Sequence, residues 1–198
     1  GSIARFLGNK TPIRLVASAK SWLCHPGVDR HAAFLPSGSP EEVVKISPLQ
    51  ATVEYLSHLS AAWNARFPEN TLSEQDVTVT IPASFDPVAR ELTAEAAKSV
   101  GFKHITLLEE PTAAVYHWVH SMGDAWRKQV SVGDIIIVVD IGGASTELVA
   151  GEGDTPMIYN SLNVGCVTYL EQFFPKGYLS EQNFTNAIAA AELEISTI

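Results

Sequence analysis

Residues 134–148, DIIIVVDIGGASTEL, constrain the fold more than any other stretch of the chain. The β-branched run between two aspartates predicts a strand, and the paired glycines after it predict a tight turn back. Because the run is apolar on both faces, the strand is expected at the centre of a sheet, covered from both sides, as in an α/β protein. The turn itself carries chemistry-bearing groups. A carboxylate at the strand end, Asp140, can hold a metal or its bound water. Gly142 and Gly143 let backbone amides approach an anion without a Cβ in the way. Ser145 adds a hydroxyl and Glu147 a second acid. A plain hairpin accounts for the same residues equally well, and the pattern is neither GxGxxG nor a P-loop.

The rest of the chain supplies helices and strands in alternation. Residues 1–46, with Pro12, Pro26, Pro36 and Pro40, are expected to hold short elements and turns. Leu49, Val53, Leu56, Ser60, Trp63 and Phe67 then fall at helical spacing, after a Ser47-Pro48 start and before Pro68. VTVTIP (77–82) is a strand. DPVARELTAEAAKSVG (86–101) is a helix with an aspartate cap, a face of Val88, Leu92, Ala96 and Val100, and a terminal glycine. HITLLEE (104–110) is a second strand, and PTAAVYHWVHSM (111–122) a helix opened by proline. After DIIIVVD come strands TELVAGE (146–152) and MIYNSLN (157–163). Two helices follow, GCVTYLEQFF (165–174) and SEQNFTNAIAAAELEIS (180–196).

Composition narrows the partners. A formal net charge of −9 with thirteen Lys and Arg argues against a broad nucleic-acid or anionic-membrane surface. No apolar run approaches the roughly 20 residues that span a bilayer, no signal-peptide pattern opens the sequence, and a cytoplasmic location is expected. The two cysteines, Cys24 and Cys166, are far apart and lack CxxC spacing, so neither a disulfide framework nor a Cys-based zinc site is indicated. The histidines are scattered, and only His117 and His120 share a helix face.

A second candidate site lies in LLEEPTAAVYHW (107–118). Glu109 and Glu110 sit between a strand end and a helix start, where a carboxylate could orient an attacking water. Two acids favourably placed against the helix dipole explain them as well.

Residues 77–118 resemble the nucleotide-binding domain of the seventy-kilodalton heat-shock chaperones, the DnaK family, and SAKSWLCHPGVDR (18–30) is similar to the segment with that family's catalytic lysine. This resemblance, over about residues 11–140, implies a water-orienting role for Glu110, an electrostatic role toward the γ-phosphate for Lys20, and an allosteric relay through Pro111 and Arg90. It implies phosphate binding by Asp140, Gly142, Gly143 and Ser145, with Mg held by Asp140 directly or through water and ATP or ADP as nucleotide. In that loop Ala144 stands in place of a glycine, and Thr146-Glu147 in place of an aromatic-Asp pair. From about Val139 to the end, DIGGAST and SLNVGCVTYLEQFF resemble the exopolyphosphatase and guanosine pentaphosphate phosphohydrolase family, which brings Glu147 into the phosphate loop.

Both families belong to the actin-like ATPase and sugar-kinase superfamily. The resemblances imply a ribonuclease-H-like α/β fold, a mixed sheet flanked by helices, here a permuted composite of two half-lobes. They imply a chimera joined near VVDIGG (138–143), engineered rather than natural, with a chaperone-like segment (1–140) and a phosphatase-like segment (139–198) packed as one composite domain. One sheet centred on DIIIVVD is expected, the alternative being two incomplete lobes completed by a second chain. The superfamily's first phosphate hairpin and its adenosine segment have no counterpart in the sequence, which weighs against enzymatic activity and predicts a fold without efficient catalysis. The alternative is a residual ATP- or phosphate-binding module derived from either family. A third class is an interaction protein that self-associates through incomplete sheet edges or the 47–67 helix.

Overall fold

The structure is a computed structural model that describes residues 2–143, 145–152, 155–174 and 177–197. It divides into two compact units: Gly1–Val79 with Phe85–Leu107, and Thr80–Ser84 with Leu108–Ile198.

In the first unit the expected irregular start contains two helices, α1 (Ser2–Lys10) and α2 (Ala19–Cys24), separated by turns. Helix α3 (Pro48–Arg66) begins as the sequence predicts: Ser47 is extended, and its side chain accepts a hydrogen bond from the Gln50 amide at 3.0 Å. Helix α4 (Pro87–Ser99) is capped in the same way by Asp86, which accepts from the Ala89 amide at 2.7 Å. It stops at Gly101, whose φ of 96° suits a residue without a Cβ. Helices α3 and α4 pack together. Leu56, Ala96, Ala97 and Phe102 are buried between them, with Leu49, Val53, Leu72, Val77 and Ile105 around. The buried face of α4 is Ala89, Leu92, Thr93, Ala96 and Ala97 rather than the one that includes Val88, which is 51% exposed. Trp63 and Phe67, at the far end of the α3 stripe, stack on each other at 4.6 Å and stay partly in water.

A smaller cluster of Ala19, Leu35 and Ala51 joins α2 to α3. A partly buried ion pair lies nearby. Arg30 reaches both carboxylate oxygens of Asp86, at 2.8 and 2.6 Å, and also donates to the carbonyls of Cys24 and His25. Strands β1 (Asp76–Ile81) and β2 (His104–Glu109), linked through α4, form a two-stranded sheet.

In the second unit helix α5 (Glu110–Met122) precedes a meander of β3 (Ile135–Ile141), β4 (Thr146–Glu152) and β5 (Thr155–Leu162), and α6 (Cys166–Phe173) and α7 (Glu181–Ile195) follow. The meander is antiparallel throughout, in the order β3-β4-β5. Helix α5 packs on β3 and β4. The fold is therefore mixed α/β with sheets flanked by helices, as expected.

Among the described residues the strands pair in two sheets rather than the one expected, and there β3 pairs with β4 alone and is an edge strand rather than a central one. Ile135, Ile137, Val139 and Ile141 on its outer face are 53–71% exposed. A run of β-branched residues identifies a strand with apolar faces, but it does not say what lies beside it, so edge and centre read alike. Among the described residues no helix is long and apolar enough to cross a membrane.

Candidate functional site

The glycine turn between β3 and β4 is tight because the Gly142 amide donates to the Ser145 carbonyl at 2.8 Å. A Cβ on Gly142 would sit 2.9 Å from that carbonyl oxygen, too close for any side chain. Gly142→Ala is therefore expected to open the turn. Hydrogen exchange should show faster exchange at the amides of residues 140–147, with the α3–α4 core unchanged.

The carbonyl side of the turn is spent on helix α6. The Cys166 amide donates to the Gly142 carbonyl at 3.1 Å, and the Val167 and Thr168 amides to the Gly143 carbonyl at 2.9 and 3.1 Å. The Thr168 hydroxyl adds a bond to the Gly143 carbonyl at 3.3 Å. These bonds satisfy amides at the helix start that have no partner within the helix, so the loop caps α6. The buried Thr146 hydroxyl donates to the Val164 carbonyl and fastens β4 to the approach of the same helix.

Antiparallel register places Asp140 directly opposite Glu147. Side chains of such a pair project to one face, with Cβ atoms about 5 Å apart, and two like charges in that relation repel. Glu147 is 4% exposed, and among the described residues it accepts from two hydroxyls, Ser145 Oγ at 2.8 Å and, at the long limit, Ser84 Oγ at 3.5 Å. A half-buried and a buried carboxylate side by side are a poor structural choice unless a cation neutralises them. The donor set is hard oxygen, which suits Mg. That ion commonly takes one or two carboxylates and keeps several waters, so it needs no larger cage. Among the described residues there is no group of three or more His, Cys, Asp or Glu placed to hold a metal.

The other sequence candidates are distributed between the units. Glu110 is the first residue of α5 and Pro111, just after it, is fully buried. Both belong to the unit that holds the glycine turn. Lys20, on α2, and Arg90, on α4, belong to the other. Arg90 Nε donates to the Phe85 carbonyl at 3.2 Å. Ala144, the departure inside the loop, lies outside the described residues. Sequence reasoning passed over Ser84 and Thr168, and met Thr146 only as part of the loop pattern. The hydroxyl of Ser84 reaches Glu147 across 63 positions, a separation that no periodicity reports. The VGCVT segment did carry a signal for Thr168, since a threonine in the first turn of a helix is placed to bond locally.

The described site is thus a strand–glycine turn–strand with facing acids in a mixed α/β fold. Comparison with known proteins gives the family. The model of the Ppx/GppA phosphatase family matches residues 89–198, more than half of the chain, and the chain belongs to that family. The guanosine-5'-triphosphate,3'-diphosphate pyrophosphatase of Pseudoalteromonas translucida is 35% identical over 130 residues, 64% of this chain and 25% of that protein. The protein of the same name from Vibrio atlanticus is 43% identical over 91 residues, 46% of this chain and 17% of that one. The chain thus spans a quarter or less of the length of these curated relatives. Among solved structures, that of the Aquifex aeolicus PPX-GPPA enzyme aligns with 76% of this chain and 47% of its own, at 22% identity and a TM-score of 0.42.

These matches overturn the expectation of a chimera without efficient catalysis. One family model runs from residue 89 to 198, across the joint expected at 138–143 and through residues 89–140 of the stretch that resembles a chaperone. The relatives it joins are named as hydrolases rather than chaperones. The change of sequence pattern near residue 139 is thus a change within one phosphatase family match.

Proposed function

We propose that this chain carries the phosphate-holding centre of a phosphoanhydride hydrolase whose substrate is guanosine 5'-triphosphate 3'-diphosphate or inorganic polyphosphate. The observation that carries it is the facing pair Asp140 and Glu147 beside a glycine turn whose carbonyls are already bound to α6. With the Gly142 amide closing the turn and the carbonyls bound to α6, the amides of Gly143 and Ser145 are the ones that would meet a phosphate oxygen. Asp140 and Glu147 hold Mg, which when bound supplies charge neutralisation at the phosphoryl oxygens. Ser145 fixes the Glu147 carboxylate by its 2.8 Å bond.

Glu110 orients the attacking water and accepts its proton, from a helix start on the same unit. Its helix packs on β3 and β4, the strands that bear the acid pair. Lys20, with an electrostatic role, and Pro111 and Arg90, with a relay role, are kept as candidates. These last roles rest on resemblance alone.

The test is phosphate release from polyphosphate, from guanosine 5'-triphosphate 3'-diphosphate and from ATP, with Mg and with a chelator. Release from one of the first two substrates is expected, faster than from ATP and abolished by the chelator. Release no faster than in a protein-free control, for every substrate, would overturn the proposal.

A further inference from the structure

We infer that Ser84 is a positioning residue for Glu147: it holds the carboxylate so that one oxygen alone meets a cation, and it thereby favours Mg over Ca. The inference rests on Asp140 and Glu147 being cation ligands, as proposed, and adds to them a residue that sets which cation they prefer. Ser84 lies in the loop between β1 and α4, in the same compact unit as Glu147. Its hydroxyl reaches Glu147 Oε1 at 3.5 Å, and the Ser145 hydroxyl reaches the same oxygen at 2.8 Å. Both donors converge on Oε1, so Oε2 is the oxygen turned to the cation.

The segment around Ser84 is built to hold it still. Ile81, Pro82, Ala83 and Phe85 are all buried, and Ser84 among them is half-buried. Just beyond it, the Phe85 carbonyl accepts from Arg90 Nε at 3.2 Å, and Asp86 caps α4. The two hydroxyls therefore have independent supports. Ser145 moves with the glycine turn, whereas Ser84 is fixed by a loop 63 positions upstream of Glu147. At 2.8 Å the Ser145 bond anchors the carboxylate, and the longer contact from Ser84 limits its rotation about that anchor.

The chemistry of the two cations turns this into a preference. Mg demands a near-ideal octahedron at about 2.0–2.1 Å and keeps several waters, whereas Ca sits in a looser shell at about 2.3–2.6 Å and accepts both oxygens of one carboxylate. Those two oxygens stand too close together to fill two corners of the smaller octahedron, so Mg takes one of them. A carboxylate with Oε1 committed to hydroxyls suits Mg, and one free to turn offers Ca both oxygens. Removing the Ser84 hydroxyl takes a preorganised ligand from Mg and gives Ca a second contact.

The experiment is displacement of Mn from the full chain by Mg or by Ca, without substrate, read from the electron paramagnetic resonance signal of free Mn. The share of binding that Glu147→Gln removes is the share that belongs to the site. There the parent is expected to bind Mg more tightly than Ca. Ser84→Ala should lower the ratio of Mg to Ca affinity about threefold to tenfold, the effect of one hydrogen bond, and Ser84→Thr, which keeps the hydroxyl, should hold the parent ratio. Thermal unfolding in a chelator should be the same for all three. An unchanged ratio in Ser84→Ala, an equal weakening of both cations, or a loss that Ser84→Thr shares would overturn the inference while leaving the cation ligands in place. Mn binding that ignores Glu147→Gln would overturn both. Should Ser84→Ala fail to fold, hydrogen exchange on the parent decides: saturating Mg should slow the amides of residues 83–86 more than saturating Ca does, and equal protection would sink the idea.

Discussion

Glu147→Gln is expected to lower phosphate release at least about 100-fold while leaving the fold intact. The amide has the size of the carboxylate, and its oxygen can still accept the 2.8 Å bond from Ser145, so the 4% exposed pocket stays filled and satisfied. What would be lost is one of the two charges proposed to face Mg. Removing one preorganised electrostatic contact typically costs 10²–10³ in turnover, or about 3–4 kcal/mol of transition-state stabilisation. Asp140→Asn should act in the same direction. Because the two acids serve one cation, the double substitution should fall well short of the product of the single effects. The same replacement relieves the repulsion between facing carboxylates, so Glu147→Gln should unfold at an equal or higher temperature when Mg is removed. A variant that loses activity and also melts early would mean that Glu147 is structural.

The second large effect is on stability. Arg30→Ala should destabilise the first unit by about 1–3 kcal/mol, read as a lower denaturant midpoint. The value lies below that of a fully buried pair because the Asp86 side chain is 39% exposed and water screens it, although the Arg30 side chain is only 9% exposed. The pH dependence has a definite sign. The hydrogen bonds from Arg30 hold the Asp86 carboxyl below the usual carboxylate range, helped by the Ala89 amide and opposed by burial. The contribution is therefore full above the unfolded pKa near 4 and is lost as the pH falls through the lower folded value. The stability gap between the parent and Arg30→Ala should stay constant from pH 7 to about 5 and close below about 4. Asp86→Asn keeps an oxygen to cap α4 and removes only the charge, so it should cost less than Asp86→Ala, which loses the cap as well.

Local chemistry was legible in the sequence wherever one segment carries its own signal. Ser47-Pro48 and Asp86-Pro87 announced the starts of α3 and α4, Gly101 the end of α4, and the β-branched runs the strands. The tight turn was legible too, since two glycines after a strand-end aspartate predict a reversal of the chain, and its phosphate role is a proposal. What escaped depends on distant partners. The Arg30–Asp86 pair spans 56 positions, and neither residue stands out on its own. The edge position of β3 is decided by which strands lie beside it, a property of topology rather than of IIIVV. The face of α4 shifted by one residue because alanines at 89, 96 and 97 let the neighbouring backbone come close, while size-based periodicity favoured Val88. The joint inferred at VVDIGG came from two partial likenesses meeting at one strand, and the family match crosses it.

The bonds between the Gly142–Gly143 carbonyls and the start of α6 close a circuit: the chain leaves the site at residue 143 and is returned to it at residues 166–168. The β4–β5 hairpin is thus an excursion whose two ends are pinned to each other. Its far end can be lengthened, shortened or decorated without moving the residues at the pinned base. A tag or sensor domain inserted between β4 and β5 would ride on the protein as cargo, leaving the geometry of the turn undisturbed.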